Sequence, residues 1–298
     1  MQVQARDFFR LLLLAAIWGA SFLFIRLAVP AFGPAPLMAG RVGLAALFLA
    51  IIAWCWHKPL LLRGNIRHFL ILGLINSALP FLLFAYAAHW LTASVMSVLN
   101  ATAPIWGAVL GVLFFRQPLS LKLVSGLLLG ISGVAILVGF DAVVLQPNAA
   151  MAIAAAAGAA CCYGLATHYT RRAAAVEPFA NAHGSMWAAF CWLLPLALLQ
   201  PPVTVPSPLQ GIALLLLGVL CTGVAYLLYF ALVRDIGATP TLTVTFLIPV
   251  FGVSWGSLFL NETVGWHTLA GAVTVLCGTA LVTGFTLSNL WGVKQSKC

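Results

Sequence analysis

Apolar residues run along this chain in long blocks, with no alternation and no single hydrophobic face, and short proline-bearing polar breaks divide them. Ten blocks, at 8–29, 35–55, 68–88, 93–115, 121–140, 149–170, 179–199, 209–232, 238–260 and 265–287, reach about the 20 residues a helix needs to cross a hydrocarbon core of ~30 Å. A helix apolar all round belongs in lipid or a protein interior. The breaks carry Pro30, Pro34 and Pro36, then Pro59, Pro118, Pro147 and Pro178, and finally Pro201, Pro202, Pro206 and Pro208. Met1 to Asp7 is polar and no small-residue cleavage pattern follows the next apolar run, so it reads as a cytoplasmic tail and not a signal peptide. The pattern predicts an all-α integral membrane protein of ten transmembrane helices with no soluble domain.

The blocks repeat. Shifted by 145 residues, Ala93–Phe140 lies on Ala238–Phe285 without a gap, matching Pro104 with Pro249, Gly107 with Gly252, Gly111 with Gly256, Gly126 with Gly271 and Gly133 with Gly278. The same shift brings Trp18-Gly19 onto Tyr163-Gly164 and Arg26 onto Arg171. Two repeats, 1–145 and 146–298, therefore fill the chain. Each holds five helices, an odd number, so the second enters the membrane from the opposite side. Such inverted repeats place a solute site near the midplane and predict alternating access.

Composition and charge sharpen this picture. Hydrophobic residues make up 63% and charged residues 6% of the 298, against about a quarter charged in soluble domains. The net charge of +9 forms no basic run, which excludes a nucleic-acid partner. Seven scattered Cys, with Cys161-Cys162 adjacent and no C-x-x-C, give neither a disulfide framework nor a zinc site, and no cofactor is expected. Of the 14 Lys and Arg, 12 fall on one side: Arg6 and Arg10; Lys58, Arg63 and Arg67; Arg116 and Lys122; Arg171 and Arg172; Arg234; Lys294 and Lys297. The positive-inside rule puts both termini in the cytoplasm of a multi-pass cell (inner) membrane protein. Arg26 and Arg41 are the exceptions.

Three stretches carry a family likeness: AAIWGASFLFIRL (Ala15–Leu27), PLMAGRVGLAALFL (Pro36–Leu49) and FLNETVGWHTLAGAVTVLCGTALV (Phe259–Val282). With the ten-helix duplication, the chain resembles the EamA-type transporters of the drug/metabolite transporter superfamily over nearly its full length. The resemblance implies an exporter or permease for small metabolites, with amino acids, including aromatic ones, among the family's cargoes. In that pattern Arg41 belongs to the second helix and implies a structural or gating contact. One departure stands out: Glu262 of the second repeat is Gln117 in the first.

Polar and aromatic side chains inside the spans are the candidate solute contacts. Ser97, Asn100 and Pro104 share a face of the fourth span, and Leu242, Thr245 and Pro249 are their counterparts in the ninth. Pro104 and Pro249 each free a carbonyl one turn earlier; they are either flexure points of a transport site or kinks that shape the bundle. Trp18, Ser21, Tyr163, Thr167 and His168 come from the first and sixth spans, Asn76, Ser77 and Tyr86 from the third, Thr222, Tyr226 and Tyr229 from the eighth. Trp18, Trp106 and Tyr163 lie deep enough to wall a cavity, whereas Trp54, Trp56, Trp90, Trp266 and Trp291 suit interfacial belts. For Arg41 the expectation is a snorkelling structural residue near the outer surface. Glu262 is expected to cap the tenth helix, and His168 and His183 to be solvated near the cytoplasm. A coupling or gating role is the alternative for His168, Arg41 and Glu262. The Gly107, Gly126 and Gly252 small-x-x-x-small faces serve helix pairing within the chain, with pairing of two protomers through the fifth and tenth helices as a second use.

Enzyme readings fail on motif. Gly19-Ala20-Ser21 is followed by Phe22 where an intramembrane serine protease needs glycine, and there is no H-E-x-x-H and no nucleotide loop. The inverted duplication thus predicts a secondary transporter for a small organic solute, and the resemblance implies export, of amino acids first. A proton-coupled multidrug or quaternary-cation exporter and a non-transporting scaffold are the alternatives.

Overall fold

The computed structural model describes residues 5–115, 118–139, 148–237 and 241–284, and every element among them is a helix. In order these are α1 (Ala5–Phe32), α2 (Pro34–Cys55), α3 (Ile66–Ala87), α4a (Ala93–Asn100), α4b (Ala103–Phe115), α5 (Leu121–Gly139), α6 (Ala149–Arg172), α7 (Pro178–Leu199), α8 (Pro208–Ile236), α9 (Val244–Leu260) and α10 (Trp266–Thr283). With α4a and α4b forming one span, nine spans among the described residues are long and apolar enough to cross a bilayer, and α9 is a shorter apolar helix. The ten predicted spans are all helical. Phe140, Pro147, Ala238, Phe285, Arg116, Gln117, Trp291, Lys294, Lys297 and the predicted division at 145/146 lie outside the described residues.

Glycines show how the halves meet. A β-carbon on Gly126 of α5 would stand 2.8 Å from the carbonyl oxygen of Gly278 in α10, and one on Gly133 would stand 3.0 Å from that of Gly271. Exchanging the repeats turns one contact into the other, and the crossed order (126 with 278, 133 with 271) makes the two helices antiparallel. A β-carbon on Gly19 would likewise approach the Gly252 nitrogen at 3.0 Å, and one on its equivalent, Gly164, would approach the Gly107 nitrogen at 2.6 Å. Helices α1 with α9 and α6 with α4b are thus the same crossing seen twice. The fold is two inverted five-helix repeats that interlock along their glycine faces. These faces of α5 and α10 fill each other, so pairing within the chain occupies the surface that a protomer contact would have used.

Helix α2 lies in the core: Leu37, Met38, Val42, Ala45, Ala46 and Leu49 are fully buried against α7 and α8. The outer surface is apolar instead of charged, with Phe114, Leu128, Ile131, Leu199, Leu258 and Val273 all more than half exposed. Only a hydrocarbon surround accommodates such a surface.

The two ends of the bundle differ. At the basic end, Arg10 bonds Asp235 at 2.9 Å, and Lys58 bonds Glu177 at 2.6 Å, tying the α2–α3 loop to the α6–α7 loop. Burial opposes ionisation of Glu177, but the hydrogen bonds from Lys58 Nζ and from the Ala180 N–H at 2.7 Å outweigh it and hold the carboxyl below its ordinary value. At the far end, the Val203 and Thr204 N–H groups both donate to the Ala31 carbonyl, and Arg26 donates to the Ala88 carbonyl.

Candidate functional site

Helices α3 and α8 are interrupted at equivalent places. The i→i+5 segment Leu74–Ala78 of α3 and the one at Leu216–Val224 of α8 coincide under the 145-residue shift. Such π-segments displace side chains from the regular helical register and recur at functional sites. They present Asn76 and Ser77 from one half and Cys221 and Thr222 from the other.

Beside them a cavity of about 140 Å³ lies between α3, α6, α7 and α8. Tyr226, Tyr229, Phe230 and Leu72 form its aromatic and apolar wall, and Asn76, Asn181, Ser185 and Thr170 supply polar groups, with Ala182 completing the lining. It runs from Asn76 and Tyr226, at mid-depth, toward Thr170 and Asn181 near the basic end. At that end His68 bridges three helices, its ring nitrogens 3.1 Å from the Tyr169 hydroxyl and 2.9 Å from Asn181 Oδ1. Shifting the lining by one repeat gives the positions that would enclose a matching cavity toward the far end. Seven of these nine positions, Leu217, Cys221, Ile25, Leu37, Phe81, Phe84 and Ala85, are packed, none more than 8% exposed, and Pro36 and Gly40 are half-buried. Among the described residues, one of the two sequence-equivalent spaces is open and the other is largely packed.

Arg41 lies outside the cavity lining, behind Tyr226. It is 5% exposed, its Nε donates to Thr222 Oγ1 at 3.0 Å, and its guanidinium carbon lies 3.7 Å from the centre of the Phe81 ring. The expected snorkel is corrected: Arg41 points into the bundle, because the π-segment of α8 offers Thr222 there and α3 offers the ring. A hydrogen bond from a charged group returns about 1.5–3 kcal/mol and a cation–π contact ~0.5–2 kcal/mol, against several kcal/mol for desolvating an ion. These contacts hold the guanidinium without neutralising it.

The other expected residues fall into three groups. Tyr226 lines the cavity, and its hydroxyl accepts from Asn76 Nδ2 at 3.3 Å. Trp18 packs against the cavity-lining Tyr229 with centroids 5.8 Å apart; Tyr163 stacks on Phe84 at 6.5 Å; Ser21 is buried beside Cys221 without a well-formed hydrogen bond. Trp18 therefore backs the cavity wall, while Tyr163 and Ser21 adjoin the packed counterpart. The remainder serve helix geometry. Tyr86 packs on Trp90 at 4.9 Å at the far end, Ser97 donates to the Ser94 carbonyl beneath Gly252, Thr167 donates to a carbonyl of its own helix, and Thr245 donates to the Leu242 carbonyl in the turn before α9. Asn100 ends α4a at the break, and Trp106 borders the α4b–α6 crossing. Pro104 opens α4b instead of kinking a continuous helix, and the Thr279 hydroxyl of α10 donates to the buried Ala101 carbonyl at the break at 3.0 Å. Pro249 sits inside an unbroken α9.

Three further expectations are corrected. His168 is buried, with Nε2 2.7 Å from the Gly107 carbonyl, because the α4b–α6 glycine crossing brings that carbonyl within reach. His183 is also buried, and its Nε2 accepts from Trp187 Nε1 at 3.0 Å. Glu262 caps α4a of the other half and not α10: its oxygens accept from the Ala93 N–H at 2.7 Å, the Ser94 N–H at 3.0 Å and the Ser94 hydroxyl at 2.6 Å. Sequence reading passed over Asn181 and Ser185, although their i, i+4 spacing on α7 is a legible polar face, and it gave Thr170 no role.

Comparison with known proteins places this geometry. The EamA-like transporter family matches twice, over residues 8–139 and 150–284. A Bacillus subtilis protein described as the uncharacterized transporter YvbV is 25% identical over 90% of this chain and 88% of its own length. A probable terminal-alkyne amino-acid exporter of Streptantibioticus cattleyicolor is 24% identical, with 94% of each chain covered. A crystal structure at 17% identity shares the fold, with a TM-score of 0.66 over 94% of this chain and 97% of the other.

Proposed function

Because the chain belongs to the EamA-like transporter family, we propose that it is a secondary transporter that exports a small organic metabolite, an amino acid in the first instance, by alternating access. The observation that carries this reading is the pair of sequence-equivalent spaces, one an aromatic-walled cavity beside Asn76 and Tyr226, the other largely packed. Exchanging the conformations of the halves 1–145 and 146–298 would close the first and open the second. On the charge bias we assign the basic end to the cytoplasm, and a cavity running toward that end supports reading this conformation as the one loaded from inside. Pro104 and Pro249 serve as flexure points, Trp18 as the support behind the cavity wall, and Tyr163, stacked on Phe84, as part of the packed counterpart.

The amino-acid assignment draws on the Streptantibioticus relative's name and on a cavity with apolar rings at one side and amides at the other. No carboxylate among the described residues lines the cavity, but the Tyr226, Tyr229 and Phe230 rings are also a wall that a quaternary cation takes, so the cationic-dye arm of the test decides between the two cargoes. The test is uptake by liposomes holding the purified protein, with an amino-acid panel and cationic dyes, with and without a pH gradient. Saturable amino-acid flux that Trp18→Ala and Tyr226→Ala reduce about tenfold or more supports the carrier, each lost aromatic contact with its burial being worth more than ~1.4 kcal/mol. Absence of flux for every compound, from folded protein, overturns it in favour of a scaffold.

A further inference from the structure

We propose that Arg41 recognises a carboxylate on the transported solute. The inference rests on the carrier reading above and adds the chemical class of the solute and the residue that selects it. Arg41 is the one buried arginine among the described residues; it lies outside the cavity lining, behind Tyr226, and bonds Thr222 of the α8 π-segment. On one side its guanidinium stacks on Phe81, which is the repeat equivalent of the cavity-lining Tyr226. On the other it stands within electrostatic reach of Tyr226 itself and of Tyr163.

No anion in the described protein answers this charge. Four of the five acidic residues are described, and each is engaged at an end of the bundle: Asp7 and Asp235 with Arg10, Glu177 with Lys58, Glu262 with the start of α4a. The fifth, Asp141, lies outside the described residues. The Arg41 Nε–H is committed to Thr222, while its Nη1 and Nη2 edge makes no hydrogen bond among the described residues. That edge is a planar fork of donors matched to a carboxylate. The repeat equivalent of Arg41 is Met186, so the molecule holds one such fork and not two. A solute carboxylate entering past Asn76 and Tyr226 would neutralise the guanidinium at the point where both halves meet.

The test is the thermal unfolding midpoint of the full-length protein in detergent, measured with matched pairs: L-phenylalanine and L-phenylalaninamide, L-leucine and L-leucinamide, indole-3-acetate and indole-3-acetamide. At least one carboxylate should raise the midpoint while its amide does not. Arg41→Gln should weaken that carboxylate about tenfold or more, and Arg41→Lys, which keeps the charge but loses the fork, should fall between. Thr222→Val removes only the orienting partner and should keep the preference for carboxylate over amide; it serves if Arg41→Gln fails to fold. Amides that stabilise as well as their acids, a panel without effect on the wild type, or an unchanged carboxylate response in Arg41→Gln overturns the assignment. Liposome flux separates this from the carrier reading. Transport of the amides, unaltered by Arg41→Gln, sinks the carboxylate site and keeps the carrier; carboxylate binding lost in Arg41→Gln without any flux does the reverse.

Discussion

Single side chains in this protein do their work by joining the two halves. Glu262 belongs to the α9–α10 hairpin but satisfies the first backbone donors of α4a, which lies in the other repeat. Loss of an N-cap acceptor costs about 0.5–2 kcal/mol, and Glu262→Ala should lower unfolding stability in detergent by that amount, with Glu262→Gln retaining part of it. The Lys58–Glu177 pair is the counterpart at the basic end. The depressed Glu177 carboxyl contributes stability that is fully present above the ordinary carboxylate range and is lost as pH falls through its lower, folded value. Both side chains are over 40% exposed, so the effect is below about 1 kcal/mol. A thermal-midpoint series from pH 7 to acid, compared with Glu177→Gln, should show that small acid-side loss in the wild type alone. Sequence made these residues visible as charges in loops and left their partners hidden. Nothing along the chain says that residue 262 meets residue 93, since the contact is created by the inversion of the repeats.

At the scale of helices, what could be read depended on periodicity. Ten apolar runs gave ten helices, and the matched glycines gave the crossings, because both rest on backbone spacing that a one-dimensional pattern preserves. The π-segments of α3 and α8 were not legible: a shift from i→i+4 to i→i+5 hydrogen bonding leaves no mark on composition. Their displacement turns Thr222 toward Arg41, which is why a residue read as snorkelling proves to be buried. The glycine crossings make a sharp prediction. A β-carbon on Gly278 would stand 2.6 Å from the Gly130 nitrogen and 2.7 Å from the Gly126 oxygen, backbone atoms that cannot step aside. Gly278→Val should therefore cost about 1–3 kcal/mol or more and reduce folded yield in detergent-based size-exclusion runs. Gly211 of α8 has nothing within 4 Å, and Gly211→Ala should be neutral or gain up to ~1 kcal/mol from helix propensity.

For the whole molecule, the two equivalent spaces predict unequal access. In a cysteine-free background, Asn181→Cys should react with a membrane-impermeant thiol reagent added from the basic end, whereas Phe81→Cys, 8% exposed in the parent, should be protected. A solute that favours the other state should reverse the ranking, and equal labelling of both positions would argue against a single occupied state. The halves are alike in plan but differ in where the proline falls: Pro104 is the second residue of α4b, directly after the turn at Ala101–Thr102, whereas Pro249 lies further inside α9, which follows a turn at Leu242–Thr243. On the carrier reading, the joint that closes one mouth has its proline beside it, while the joint that closes the other has its proline inside the helix that follows. A carrier with such unlike limbs spends unequal times facing its two compartments. Detailed balance still fixes the ratio of forward to reverse flux, so the inequality emerges as different half-saturation concentrations on the two sides of the membrane, a built-in bias in which pool the protein senses.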